Sequence, residues 1–183
     1  VTAFVARAAA GAVGVPPSLT VLADLAPVAR AFSVADADAL RALIAAEDLG
    51  PGDVITLGEG VSDGAVTLDA SDSGVTLRGA GADAVLTGRL TLNGATGVRL
   101  EGLTLGGLTV TGADGLRVDR VLISNSLVMA DATDIAVQDS TVRNGTTISG
   151  LTALQMRGNL LEGAGIGLAV TGSIDGVIEG NRI

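Results

Sequence analysis

The stretch "GVRLEGLTL" at 97–105 is followed by "GLRVDRVLI" at 115–123 and "DIAVQDSTV" at 134–142. Each restarts the same pattern: an apolar residue, any residue, then another apolar one. The pattern extends in both directions. Ile55-Thr56-Leu57, Val75-Thr76-Leu77, Val98-Arg99-Leu100, Leu116-Arg117-Val118, Ile135-Ala136-Val137 and Leu154-Gln155-Met156 fit it, with Gly176-Val177-Ile178 as a weaker last member. Their third positions, 57, 77, 100, 118, 137, 156 and 178, are separated by steps of 20, 23, 18, 19, 19 and 22.

A period of this size is the signature of a repeat architecture. Period-two alternation of β-branched residues, broken by Gly, Asp and Asn, makes each unit a set of short strands. No helical pattern separates the units, so the crossover between parallel strands must itself be strands and bends. A coil with one turn per repeat satisfies this, each strand pairing with its copy one turn away. The alternation places Leu57, Leu77, Leu100, Val118, Val137, Met156 and Ile178 in one inward stack. A second holds Ile55, Val75, Val98, Leu116, Ile135 and Leu154. Val66-Thr67-Leu68, Leu90-Thr91-Leu92, Leu108-Thr109-Val110, Leu127-Val128-Met129 and Leu168-Ala169-Val170 supply further sides.

Composition agrees with thin, similar layers. Apolar residues make up 48% of the 183, yet there are only two Phe and no Trp or Tyr, with 27 Gly to mark turns. Ahead of the coils, Val34–Glu47 reads as a helix with Leu40, Leu43 and Ile44 on one face. Ser33 and Asp36 read as its capping box. Lying over the first turn, such a helix would shield the open hydrophobic end.

These residues carry a resemblance. "FSVADADALRALIAAEDLGPGDVITLGEG" at 32–60, then "GVTLRGAG" at 74–81, resembles the opening of the pectate-lyase-like right-handed parallel β-helix superfamily. There a Leu- and Ala-rich helix precedes a "GD" strand opening and coils whose turns carry stacked Asn. "RGNLL" at 157–161 and "EGNRI" at 179–183 put Asn159 and Asn181 one turn apart. Val61-Ser62 stands where an aromatic is usual. The resemblance covers about residues 33–183. It implies an all-β, right-handed parallel β-helix of about seven turns with an N-terminal capping α-helix. It leaves function open, because the superfamily includes polysaccharide lyases, hydrolases, epimerases, adhesins and phage tailspikes.

The expected organisation is an N-terminal arm or attachment segment at 1–32, a capping helix and connecting loop at 33–52, and the β-helix from 53 to 183, continuing beyond Ile183. Residues 1–32 are Ala-rich and contain Pro16-Pro17. They read either as an arm docking on a partner or as an extra layer on the cap.

Net charge is −9, and all 11 cations are Arg; Lys, His and Cys are absent. An acidic chain without basic clusters argues against nucleic acid and anionic membranes. The longest uncharged run, Ala8–Ala23, is too short to span a bilayer. No cofactor and no metal-ligand set is expected. "DASDSG" at 69–74 faintly suggests calcium, but a polar turn explains it better. Lyases of this superfamily abstract a proton α to a carboxylate with Lys, Arg, His or Tyr. Only Arg is present here, and its pKa above about 12 makes it a poor base. No catalytic residue is therefore assigned. Paired carboxylates such as Glu101 with Asp119 arise readily by chance on an acidic coil.

The one charged cluster is Arg99 and Arg117, stacked one turn apart, beside Glu101 and Asp119. It reads either as an acidic-sugar site, the two Arg gripping a carboxylate, or as a surface ladder in which Glu101 and Asp119 neutralise Arg99 and Arg117. The expected function is a non-enzymatic β-helix segment of a phage-like spike, tail fibre or adhesin at a virion or cell surface. It would assemble as a homotrimer or with other virion or adhesin proteins through 1–32, with receptor or glycan recognition beyond Ile183 and cell-surface polysaccharide as the candidate ligand. The alternative is the N-terminal part of a polysaccharide lyase or epimerase acting on acidic glycans, with its active coils later in the chain.

Overall fold

A computed structural model describes residues 28–163, 167–172 and 175–183. The greater part of the expected arm, 1–27, lies outside the described residues. The described residues wind as an all-β parallel solenoid of about eight turns with one α-helix among them, Ala37–Ala46. One sheet contains eight strands, one per turn: Ala31–Val34, Val54–Leu57, Thr76–Gly79, Arg99–Glu101, Arg117–Asp119, Ala136–Gln138, Leu154–Arg157 and Gly176–Glu179. The remaining strands line the other sides of each turn, and every pairing is parallel.

The first strand adds one turn ahead of those counted from the sequence. Ala31 and Phe32, assigned to the arm, pair with Val54 and Ile55 and make an additional turn. Ser33 pairs with Thr56 inside that strand, so it does not cap the helix. Asp36 does, accepting the Ala39 N–H at 2.8 Å. Extended backbone through Val34 leaves no room for helical dihedrals before Ala37. Leu40 is fully buried, and Leu43 and Ile44 pack partly against the same core. The helix therefore covers the first turn as expected.

The register corrects the inward stack by one step. Leu57 stands beside Gly79, and Leu77 stands beside Ile55. The continuous column is Phe32, Ile55, Leu77, Leu100, Val118, Val137, Met156 and Ile178. Leu57 lies two residues further along, over Val34. The second column then begins at Asp53, directly beneath Val75, and continues through Val98, Leu116, Ile135 and Leu154. On another side, Val66, Leu90, Leu108, Leu127, Thr146 and Leu168 align. Thr146 is the odd member: its hydroxyl is buried without a partner among the described residues. Each fully buried aliphatic side chain contributes roughly 1.5–3 kcal/mol to this core.

Many of the turns are sharp because their corner holds a left-handed residue. Before the eight-stranded sheet these are Gly52, Gly74, Gly97, Gly115, Asp134 and Ala153. The corner N–H donates to the next turn: Gly97 to the Asp114 carbonyl at 2.7 Å, Gly115 to Thr133 and Asp134 to Thr152. Gly fits this conformation without cost and Asp tolerates it, whereas Ala153, at φ 55°, does not.

A buried carboxylate replaces an aliphatic residue at the capped end. Asp53 is only 3% exposed. It accepts the Arg30 backbone N–H at 2.7 Å, the Arg30 Nη2 at 2.6 Å and the Gly50 N–H at 3.1 Å. Arg30 also reaches Glu47 at 3.0 Å and the Asp48 carbonyl, and its guanidinium lies 5.1 Å from the Phe32 ring centre. One side chain thus ties the first strand, the helix C-terminus and the following loop together. The guanidinium hydrogen bond holds the Asp53 carboxyl below the usual carboxylate range, more than offsetting its burial.

Two outcomes test this account. Asp53→Asn is expected to lower stability by about 1–3 kcal/mol at neutral pH in denaturant unfolding. A depressed folded-state pKa contributes stability that is present above the unfolded value near 3.9 and lost as pH falls through the folded one. The gap between wild type and Asp53→Asn should therefore close in acid. Ala153→Gly is expected to raise stability by roughly 0.5–1 kcal/mol, because relief of the left-handed strain exceeds the added freedom of the unfolded chain.

Candidate functional site

The outward positions of the eight-stranded sheet form two columns. One runs Thr76, Arg99, Arg117, Ala136, Gln155 and Val177; the other runs Thr56, Arg78, Glu101, Asp119, Gln138, Arg157 and Glu179. Arg99 and Arg117 are therefore stacked on successive turns, as the spacing predicts, and Glu101 and Asp119 flank them.

The ion pairs differ from the expected cross-strand set. Arg117 donates to the Asp134 carboxylate at 2.7 Å and to the carbonyls of Leu116 and Asp134. Asp134 occupies the left-handed corner one turn on, which brings its carboxylate beside Arg117. Asp119 is two residues along the strand and pairs instead with Arg120 at 2.8 Å. Arg99 is exposed and Glu101 half-exposed, and neither makes an ion pair among the described residues. The cross-turn neutralisation expected of Glu101 and Asp119 is found elsewhere, between Arg157 and Glu179. The Arg117–Asp134 pair is about two-fifths exposed on each side. It contributes on the order of 0–1 kcal/mol and leaves Arg117 engaged with the protein.

The concavity on this surface lies beside the expected cluster. An open groove of about 610 Å³ is lined by Arg78, Glu101 and Arg120, with Leu103, Leu122 and Thr104 among its other walls. Of the four residues singled out from the sequence, it takes in Glu101; Arg99, Arg117 and Asp119 are outside its lining. Arg78 is steadied from the turn below, where its Nε donates to Thr56 Oγ1 at 3.1 Å. Glu101 sits on the turn between Arg78 and Asp119. Arg120 follows Asp119 at the corner. Its backbone is left-handed, φ 52°, in a column otherwise made of Gly102, Asp139, Gly158 and Gly180. Two Arg, one of them paired with Asp119, and one carboxylate thus line a groove of mixed polar and apolar surface. That set can bind carboxylates and hydroxyls together.

Sequence reasoning missed Arg120 because it looked only at strand positions. The signal was present: Arg120 replaces the Gly that follows Glu101 in the preceding repeat.

The other polar features are structural. Asp69 accepts the Ser71 N–H and hydroxyl, and Asp72 accepts the Asp69 N–H, closing the "DASDSG" turn on itself. Among the described residues no group of three acidic side chains is placed to hold a metal ion. Asn159 and Asn181 form the anticipated ladder. Asn159 Nδ2 donates to the Asn181 Oδ1 at 2.9 Å and to the Val137 carbonyl at 2.8 Å, and Ser140 extends the ladder one turn further.

No protein-family model matches the chain, and no curated protein matches it. Among solved structures, an alginate lyase from Paenibacillus sp. str. FPU-7 is similar in fold. The two superimpose with a TM-score of 0.50 over 83% of this chain and 75% of that one, at 16% sequence identity. At that identity the likeness is one of architecture: this chain is a parallel β-solenoid of the kind that a polysaccharide lyase also uses.

Proposed function

We propose that this chain binds an acidic polysaccharide along the Arg78–Glu101–Arg120 groove and belongs to a protein of polysaccharide-lyase type. The observation that carries this reading is the convergence of two Arg and one carboxylate on one open groove. Arg pairs with a carboxylate through two parallel hydrogen bonds, and Glu accepts from sugar hydroxyls. The likeness to an alginate lyase supports the same chemistry, a uronate polymer as ligand. The net charge of −9 works against any polyanion. Recognition must therefore be local, with the Arg positions outweighing the average field at short range.

The described residues act here as a binding scaffold. In a lyase the bound carboxylate acidifies the neighbouring C–H, and a base removes that proton. The groove offers no Lys, His or Tyr, and no base is assigned to it.

A second reading has its own support. The absence of Lys, His and Tyr and the outward ion pairs Arg117–Asp134 and Arg157–Glu179 fit a non-catalytic segment of a spike, fibre or adhesin at a virion or cell surface. A trimer in sedimentation, without affinity for uronates, would be its mark.

Titration calorimetry with alginate and polygalacturonate, against a neutral glucan, tests the proposal. Uronate binding should exceed neutral binding, weaken with added salt, and fall roughly tenfold in Arg78→Gln. Equal affinity for charged and neutral polymers rejects it. Release of unsaturated product, followed by ultraviolet absorbance, would show that the chain also carries a base.

A further inference from the structure

We infer that Arg120 is a specificity-determining residue of this groove, held there against its conformational preference, and that with Arg78 it reads every second acidic sugar of an extended uronate chain. The inference rests on the polysaccharide reading above and adds the substrate pattern to it.

The first support is backbone geometry. Arg120 occupies a corner that Gly102, Gly158 and Gly180 fill in other turns, with φ between 56° and 66°. Asp139, the remaining member, belongs to the residue types that enter this region readily. Arg does not, so its presence costs stability that Gly would restore. Nothing in the fold repays that cost. The Arg120 backbone N–H donates to the Gln138 carbonyl at 3.3 Å, a bond that Gly would make equally well. Its ion pair with Asp119 is formed by a side chain 70% exposed, where such pairs contribute little. Strain kept without structural return clusters at functional positions.

The second support is the order of charges along the groove. Arg78 and Asp119, which Arg120 follows, are two turns apart, about 9.6 Å at the usual strand spacing. Glu101 occupies the turn between them. The groove lining therefore presents Arg78, Glu101 and, one residue beyond the strand position that Asp119 holds, Arg120, whose exposed pair with Asp119 a ligand carboxylate can displace. A ligand lying along the solenoid axis must offer acid, hydroxyl, acid. An extended uronate chain with two-fold screw symmetry does this, because successive carboxylates project to opposite sides. Arg78 and Arg120 then take the first and third sugars. Glu101 accepts from hydroxyls of the second and repels a carboxylate placed there.

The test compares uronic-acid dimers and trimers, prepared from alginate, on the full chain by calorimetry, with thermal unfolding alongside. Wild type should bind the trimer more tightly than the dimer. Arg120→Gly should weaken trimer binding roughly tenfold, leave dimer binding near wild type and raise Tm. Ala153→Gly, the same relief at a corner outside the groove, should raise Tm without changing affinity. Arg120→Asn, which tolerates the left-handed region, repeats the binding test with a side chain in place. Trimer binding that survives Arg120→Gly and Arg120→Asn overturns the inference and leaves the polysaccharide reading standing. Failure of wild type to prefer uronates over a neutral glucan overturns both.

Discussion

A parallel strand satisfies its backbone groups only when a partner lies one turn away on each side, at one spacing and in register. In this chain that requirement governs every turn. Thr96, Asp114, Thr133 and Thr152 bridge successively at one corner, and the left-handed residues beside them pass their N–H groups to the next turn. Once corners and registers are fixed, side chains of equivalent position must stack, so inward columns become aliphatic and outward columns become rows. The groove follows from the same rule: Arg78, Glu101 and Arg120 meet because successive turns place them side by side.

The two ends of the coil meet the rule differently. At the capped end, Asp53 stands where later turns place Val75, Val98 and Leu116, and Arg30 closes over it. A charge at an otherwise aliphatic position is tolerable only because its hydrogen bonds are all supplied nearby. Further along, Ser140, Asn159 and Asn181 take over a corner held by Leu103 and Val121 in earlier turns. Each polar side chain there bonds to its neighbour's backbone. Thr146 has no such partner for its hydroxyl among the described residues, and it marks a local weakness in an aliphatic column.

Repeat and fold were legible because the corner residues and the alternation recur at nearly constant steps. What escaped the sequence was register where the repeat length departs from its usual step, as in the first turns. Leu57 looked like the head of the Leu77 column, but the interval of 20 residues to Leu77 is two short of the true pairing with Gly79. Ser33 looked like a cap because its position in a strand depends on a partner 23 residues later. Arg30 carried no local signal, since its role comes from Asp53 across the same gap. The charged cluster was half legible: Arg99 and Arg117 do stack, yet the groove formed one column over, where a corner residue adds the second cation.

The registers also describe how such a chain can be built. Strands that pair lie about twenty residues apart, whichever turn is chosen. Each closure therefore carries a similar entropic cost, growing only slowly with loop length. The helix and the Arg30–Asp53 cluster belong to the earliest described residues, so they leave the ribosome before the coils that stack on them. A chain with this layout can acquire its native contacts in the order of its synthesis, each new turn templated by the one before it and completed by the one that follows.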